Sequence, residues 1–362
     1  MGVDAASLRR RRLVATGLAE PDADGPADVV RRLGAVQAQE YEAARWSLGQ
    51  RSAGDDDAAV EAALAEGRVL RTHALRPTWH FLHPDDLRSV LAATAPGVQR
   101  INGTMYRRTG LDDDLRRRCA DLVGEALVGG NALTRAELAD VLARAGVVAQ
   151  GMRLAYVLMH AELEGVVCSG PRRGRTHTYA LVDERTPPRP VPSREEAVAD
   201  LVERYVTSHG PATARDVQWW SSLSLREIGA ALDSAGDRLV HEVVDDHDLW
   251  FAADERTRAA GPRAHLLQGY DEYFSYGPTK RLVAPPDGSS APRTTALHAL
   301  VLDGVLAGHW RRTDRGRGAV EVAVELYAPL SDHDLDAARE ASERYGSFLG
   351  RSVALTTSVM AH

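Results

Sequence analysis

Gln37 and Gln39, in the run Val36-Gln37-Ala38-Gln39-Glu40, are the residues whose types and spacing point most directly to chemistry. A primary amide offers a carbonyl acceptor and two N–H donors but has no usable pKa, so a pair of them can orient a water yet cannot carry its proton away. That suits hydrolysis of a bond whose leaving group departs readily. On a helix, residues two apart diverge, whereas on extended backbone they share a face. Gripping one water therefore requires that the chain be extended at Gln37. Val29, Val30, Leu33 and Val36 fall at helical spacing and predict an amphipathic helix over Ala27 to Val36 that delivers the chain to the pair. The spacing by itself equally allows two exposed loop glutamines.

A second set lies downstream on a predicted strand, Thr78 to Leu82, where Thr78 and His80 share a face and are candidate supporting residues. A lone strand histidine also serves as a hydrogen-bonded structural residue, and chain position does not separate the two roles.

The elements that must position these residues repeat. A long helix from Leu111 precedes a capping box, Thr134 with Glu137, which opens a second helix from Leu138 to Ala145; a third carries Leu154, Val157, Leu158 and Ala161. Strands then flank the polar loop Ser169 to Arg175, ending with Thr176 to Val182. Three helices followed by a β-hairpin form a winged helix, whose hairpin tip commonly touches a nucleic-acid backbone. Arg172, Arg173 and Arg175 are thus candidate phosphate contacts, with solvated turn arginines as the alternative.

After the proline-rich connector Thr186 to Ser193 the order recurs, with helices at Glu195 to Ser208, Thr213 to Trp220 and Leu225 to Asp233, then two strands. A less regular version comes first, with helices at Ser7 to Leu18, Ala27 to Val36 and Ala58 to Glu66 and strands Val69 to Leu75 and Thr78 to Leu82. The expected architecture is α+β. It comprises three tandem winged-helix modules, over 1–110, 111–190 and 191–262, and a β-rich domain over 263–362, closed by a helix from Asp332 to Leu349. A hairpin in the last domain carries Arg311, Arg312, Arg315 and Arg317 at and beside a turn, an arrangement suited to probing a DNA groove.

Composition narrows the classes. A 362-residue chain with 44% hydrophobic residues is long enough for several ordinary cores. No apolar run approaches the roughly 20 residues of a membrane span, and the opening MGVDAASLRRRR has no apolar stretch of the secretory kind, so an intracellular protein is expected. Cys119 and Cys168 match no metal or disulfide spacing and read as small buried side chains. Of 44 basic Lys and Arg residues only Lys280 is lysine, so arginine abundance by itself signals nothing. The formal charge of −7 argues against indiscriminate nucleic-acid coating while leaving room for a local basic stripe. No cluster of His, Cys or carboxylates has ligand spacing, and no metal or organic cofactor is expected.

Taken together, Val36-Gln37-Ala38-Gln39, Arg76-Pro77-Thr78-Trp79-His80-Phe81, Tyr270-Asp271-Glu272-Tyr273 and Gly304-Val305-Leu306-Ala307-Gly308-His309-Trp310-Arg311 resemble the AlkZ/YcaQ family of winged-helix DNA glycosylases. The resemblance spans nearly the whole chain, and its Gln-x-Gln pair is similar to the antibiotic self-resistance branch rather than to the branch with Asp at the second position. It implies a C-shaped assembly with a barrel-like β-domain. It also implies a monofunctional enzyme that hydrolyses the N-glycosidic bond of N7-alkylated purines in double-stranded DNA, interstrand crosslinks included. Gln37 and Gln39 would be catalytic, Thr78 and His80 close to them, and Asp271 and Tyr273 structural. A cytoplasmic, nucleoid-associated monomer is expected. The competing readings from the residues are a non-enzymatic winged-helix transcriptional regulator, which would tolerate loss of both glutamines, and a protein-interaction scaffold without a nucleic-acid partner.

Overall fold

The computed structural model describes residues 4–253, 261–275, 277–285, 298–316 and 318–360. Helix α1 (Ala5–Ala15) is followed by α2 (Pro26–Leu33), the short strand β1 (Val36–Gln37), α3 (Tyr41–Gly49), α4 (Asp57–Ala65) and the hairpin β2 (Leu70–Ala74) and β3 (Thr78–Leu82). The helix before the glutamine pair ends three residues sooner than its apolar spacing predicts, because Gly34 adopts φ +79° at its C-terminus. An L side chain is strained there, and its Cβ would also press on Arg204 at 3.0 Å. The chain beyond Gly34 is released into extended backbone, and β1 joins the hairpin in the order β1-β3-β2.

Three features of this first unit depart from expectation. Helix α3 was not foreseen, and it packs with α2 and α4, while the N-terminal α1 sits instead against the first helix of the third unit, Arg194–His209. The reason for the latter is visible at Arg12: buried on α1, it donates to the carbonyls of His209 and Pro211 and to Thr279 Oγ1. A 22-residue helix, α5 (Leu87–Arg108), also unforeseen, then carries the chain onward.

The second unit follows the predicted order closely: α6 (Asp113–Leu127), β4 (Leu133–Thr134), α7 (Arg135–Arg144), α8 (Gly151–Leu163), β5 (Val167–Arg173), β6 (Thr176–Leu181) and a last turn, α9 (Val182–Arg185). Its capping box is formed as expected, Thr134 and Glu137 each satisfying the other's backbone N–H. The third repeats it with α10 (Arg194–His209), α11 (Ala214–Ser221), α12 (Leu225–Ala235), β7 (Leu239–Val244) and β8 (His247–Ala252).

The remaining described residues form β9 (Ala264–Leu267), a 3₁₀ turn at Pro278–Val283, β10 (Ala299–Leu302), β11 (Val305–Asp314), β12 (Ala319–Leu326), α13 (Asp332–Leu349) and β13 (Ser352–Val359). These strands make one open sheet, ordered β13-β12-β11-β10-β9, with β13 joining parallel to β12. The barrel-like closure is not formed among the described residues: α13 packs on β9, β10 and β13, and the strands at the two ends of the sheet do not meet. Winged-helix units plus a β-rich domain are therefore the architecture, with no barrel among the described residues.

Among the described residues the three largest apolar cores hold it together. One is centred on the second unit, built on Leu127, Leu142 and Val157 and joined by Tyr106 of α5. A second runs from α5 and β2 into α10 and α12 through Leu70, Val98, Leu201 and Ile228. The third joins α2 and α3 to the five-stranded sheet and α13 through Val29, Trp46, Leu300 and Phe348. The first unit is thus wedged between the third unit and the β-domain, and the space around β1 is built from all three. Cys119 and Cys168 are free and buried, and burial pushes the Cys168 thiol up to about 12.

Candidate active site

Gln37 leaves α2 on extended backbone and pairs with His80 across β1 and β3; His80 in turn pairs with Thr72 on β2. Directly paired residues of an antiparallel ladder project to the same face, so Gln37, His80 and Thr72 form one polar row, and Thr78, two residues from His80, joins that face. The opposite face takes Arg71, His73 and Trp79, where the His73 ring lies tilted against Trp79 at 4.0 Å and the Arg71 guanidinium lies over the Trp79 ring at 4.2 Å.

Gln37 is buried and held on every side. Its backbone N–H donates to Glu272 Oε1 at 2.7 Å, its carbonyl accepts from Gln268 Nε2 at 3.1 Å, and its side-chain Oε1 accepts from Arg76 Nη2 at 3.0 Å. One lone pair of the amide oxygen is thereby taken, and the other, with the amide nitrogen, can bind a water. Gln39, by contrast, is exposed. Its Oε1 accepts the Trp79 N–H at 3.3 Å, which places it beside Thr78 at the start of β3.

Glu272 is the support behind this arrangement. It is almost completely buried, and its second oxygen accepts from His209 Nε2 at 3.0 Å and Trp220 Nε1 at 2.9 Å. The neighbouring Asp271 is fully buried against Arg51, at 2.5 and 3.0 Å, and accepts from Ser47 at 2.6 Å. Burial would raise its pKa, but the Arg51 guanidinium outweighs burial and holds the carboxyl below the usual carboxylate range. The pair ties α3 to the segment after β9, and Tyr273 extends the tie through its hydroxyl to the Gly304 carbonyl at 2.8 Å. The structural part expected of Asp271 and Tyr273 is the geometry found.

His80 is fully buried, and neither ring nitrogen completes a hydrogen bond of normal geometry. Burial, helped by the charges of Arg76 and His73 and opposed by a contact to the Thr78 backbone, lowers its pKa well below that of a free histidine. The ring is neutral at physiological pH. It adds no positive charge to the wall behind Gln37.

In front of that wall is an open cavity of about 610 Å3, lined by Gln37, Arg76 and Thr78 together with Ile101 of α5, Trp219 of α11 and Tyr270. Its size falls in the roughly 300–1,000 Å3 range of small-molecule sites. Arg76, Glu272, Gln268 and Trp219 were not singled out from the sequence. The available signal for Glu272 was a third polar residue inside Tyr270-Asp271-Glu272-Tyr273, where burial of two adjacent carboxylates demands specific partners.

The arginines predicted to meet DNA fall into a different region. Arg172 is largely covered, paired with Glu61 at 3.3 Å and lying over the Tyr41 ring at 4.8 Å. Arg173 pairs with Glu137, whose carboxyl it holds at about 2, with the Thr134 N-cap adding to the effect. On the β11–β12 hairpin Arg311 is exposed, Arg312 binds Asp314 at 3.0 Å, Arg315 pairs with Glu321, and Arg317 lies outside the described residues. Arg172, Arg175 and Arg312 line one open cleft of about 820 Å3 with Glu42, Asp57 and Glu61. The structure so brings the second unit's wing and the hairpin together, in a cleft that shares no lining residue with the Gln37 cavity. Among the described residues no group of His, Cys, Asp and Glu is placed to hold a metal ion, and no helix is long and apolar enough to cross a membrane.

Comparison with known proteins bears on this geometry. The solved structure of Streptomyces sahachiroi DNA glycosylase AlkZ superposes with a TM-score of 0.77 at 24% sequence identity, over 97% of this chain and 98% of that one, a likeness that shows the fold. The curated interstrand DNA cross-link repair glycosylase of Streptomyces sahachiroi is 28% identical over 308 residues, 80% of this chain and 82% of that protein. The family model described as DNA glycosylase AlkZ-like matches residues 30–348, taking in β1, the β2–β3 hairpin, the Asp271-Glu272 segment and the arginine hairpin. The chain belongs to the AlkZ-like family of DNA glycosylases.

Proposed function

We propose that this chain is a monofunctional glycosylase of DNA repair that hydrolyses the N-glycosidic bond of N7-alkylated purines in duplex DNA, unhooking interstrand crosslinks among them. Gln37 and Gln39 act as the catalytic pair. The observation that carries this reading is Gln37 itself, a buried amide on extended backbone, oriented by Arg76 and opening onto a cavity wide enough for a nucleotide. Alkylation at N7 makes the purine cationic and a good leaving group, so no general acid is needed. The C1′–N9 bond breaks with its electron pair passing to the purine, which departs neutral. A water held by the two amides adds to C1′ of the oxocarbenium-like sugar, and its proton passes to solvent.

Thr78 and the neutral His80 support the pair by completing its polar wall without adding a cation that would repel the sugar. Arg311, Arg312, Arg315, Arg317, Arg172, Arg173 and Arg175 contact the phosphate backbone, exchanging carboxylate partners such as Glu61 and Glu321 for phosphate oxygens. In this reading the modules over 1–110, 111–190 and 191–262, with the β-domain over 263–362, act as a monomer. They present an open surface where a base still joined to the opposite strand is reached without entering a closed pocket. The biological role is self-resistance to a DNA-alkylating antibiotic, a reading favoured by the similarity to a crosslink repair glycosylase of Streptomyces sahachiroi.

The test is incubation with a duplex carrying one N7-methylguanine and, separately, one N7-linked crosslink, scored for free base and abasic sites. The native chain is expected to release base from both. The Gln37→Ala, Gln39→Ala double variant should bind the duplex equally well and lose at least about 100-fold in rate. Retention of full activity by that variant would remove the glutamines from the mechanism, and absence of base release by the native chain would remove the reaction.

A further inference from the structure

Tandem Trp219-Trp220 ends α11, and the two rings have opposite fates. Trp220 is buried and donates to Glu272 Oε2 at 2.9 Å, so it anchors the helix to the support behind Gln37. Trp219 is 59% exposed and lines the Gln37 cavity. Helix α11 stops directly after them, at Ser222 in the left-handed region with φ +59°. Arg76 links the exposed ring's residue to the pair: Nη2 donates to Gln37 Oε1 at 3.0 Å while Nη1 reaches the Trp219 carbonyl at 3.4 Å. Ile101, 53% exposed on α5, lines the same cavity. Two large apolar side chains left open to solvent at one cavity, in a chain that buries most of its aromatic rings, mark a surface that receives a ligand.

We propose that Trp219 is the recognition platform on which the cationic N7-alkylated purine stacks, with Ile101 as the apolar wall beside it. The proposal rests on the glycosylase reading of the Gln37 site and adds to it the residue that tells damaged from undamaged bases. Every purine has a π-face and can stack on indole, but only the alkylated one carries a positive charge for the ring quadrupole to attract. The charge has a second consequence. As the glycosidic bond breaks, the purine becomes neutral and the positive charge moves to the sugar. The attraction to Trp219 is therefore strongest in the bound substrate and weakest in the product, so this residue raises affinity for the lesion and does not lower the barrier to bond breaking.

The experiment compares the native chain with Trp219→Ala, Trp219→Leu and Trp219→Phe. Binding is measured to a duplex with one N7-methylguanine whose 2′-fluoro sugar prevents cleavage, and to the same duplex unmethylated. Single-turnover rates at saturation are measured on the cleavable lesion. The native chain and Trp219→Phe should prefer the methylated duplex, Trp219→Ala and Trp219→Leu should lose roughly tenfold of that preference, and their saturating rates should not fall below that of the native chain, since the attraction removed is stronger in the bound substrate than in the transition state. An undiminished preference in Trp219→Ala, a Leu variant as discriminating as the Phe variant, or a native chain without any preference would each overturn the proposal. A preference that depends on Trp219 in a chain that releases no base from the cleavable duplex would uphold the platform and sink the glycosylase reading instead.

Discussion

The wall around Gln37 and the arginine hairpin of β11 and β12 are both polar, yet they are held in opposite ways. At the wall, a backbone N–H, a carbonyl and an amide oxygen of one residue each have a partner drawn from a different part of the chain: Glu272, Gln268 and Arg76. On the hairpin, Arg312 and Arg315 pair with carboxylates two and six residues away, and these contacts are exposed. Exposed pairs contribute about 0–1 kcal/mol and yield easily to another anion. Buried, multiply bonded groups do not yield. The contrast teaches a division of labour, with geometry fixed where a water must be placed to within a fraction of an ångström and charge left exchangeable where a flexible polyanion must be met.

The sharpest way to break that contrast is at its foundation. Asp271→Ala would leave the fully buried Arg51 without its carboxylate, and loss of about 3–5 kcal/mol of stability is expected in denaturant unfolding. An effect as small as that of an exposed pair would mean the wall is not rigidly founded. One step smaller, Glu272→Ala removes the acceptor for Gln37 N–H, Trp220 and His209, and should cut the base-release rate by about 100-fold while leaving DNA affinity within a few fold.

On the hairpin side the expected signature is salt dependence rather than lost geometry. The Arg311→Ala, Arg312→Ala double variant should bind duplex more weakly at moderate salt and lower the slope of log affinity against log salt by about 1–2, with the saturating rate preserved. A lowered rate at saturating DNA with an unchanged slope would place the hairpin in the chemistry instead.

The smaller effects concern pH and surface pairs. His80 is held neutral by burial, so its pKa is lower in the folded chain than in the unfolded one. Below about pH 6.5 the unfolded chain gains a proton that the folded chain refuses, and stability falls as pH falls. His265, lowered by burial to about 3, and His177, lowered by burial to about 4, act in the same direction. Replacing His80 by Leu should flatten the dependence of stability on pH below about 6.5 by at most about 1.4 kcal/mol per pH unit, without abolishing it. Least of all, Arg173→Ala at the exposed pair with Glu137 should leave the melting temperature unchanged within error.

Much of the architecture was legible because local signals and the global fold agree. The capping box at Thr134 and Glu137 and the apolar spacing of Leu154, Val157 and Leu158 located their helices, and Asp332–Leu349 matches its expected span. The elements that went unseen each have a physical cause. Helix α3 buries Arg45 and Ser47 as well as Trp46, so polar residues interrupt its apolar pattern. Helix α5 carries Pro96 and Gly97 in its interior, both signals that argue against a helix. Strand β13 is mostly exposed along Ser352–Val359 and becomes a strand only because β12 offers a parallel edge after α13 returns the chain.

The amino-acid sequence determined by itself that the chain would form winged-helix units with a β-rich end, and that two amides separated by one residue stand where a helix gives way to extended chain. Periodicity, capping residues and a glycine act over a few residues, and that range is enough for such decisions. Only the tertiary structure decided that Gln37 is buried against Glu272 while Gln39 stays open, that Arg172 turns onto Glu61, and that Trp219 rather than Trp220 meets the cavity. Those choices depend on which groups lie opposite after the chain has folded, across separations of 235 residues for Gln37 and Glu272, and no local pattern carries that information.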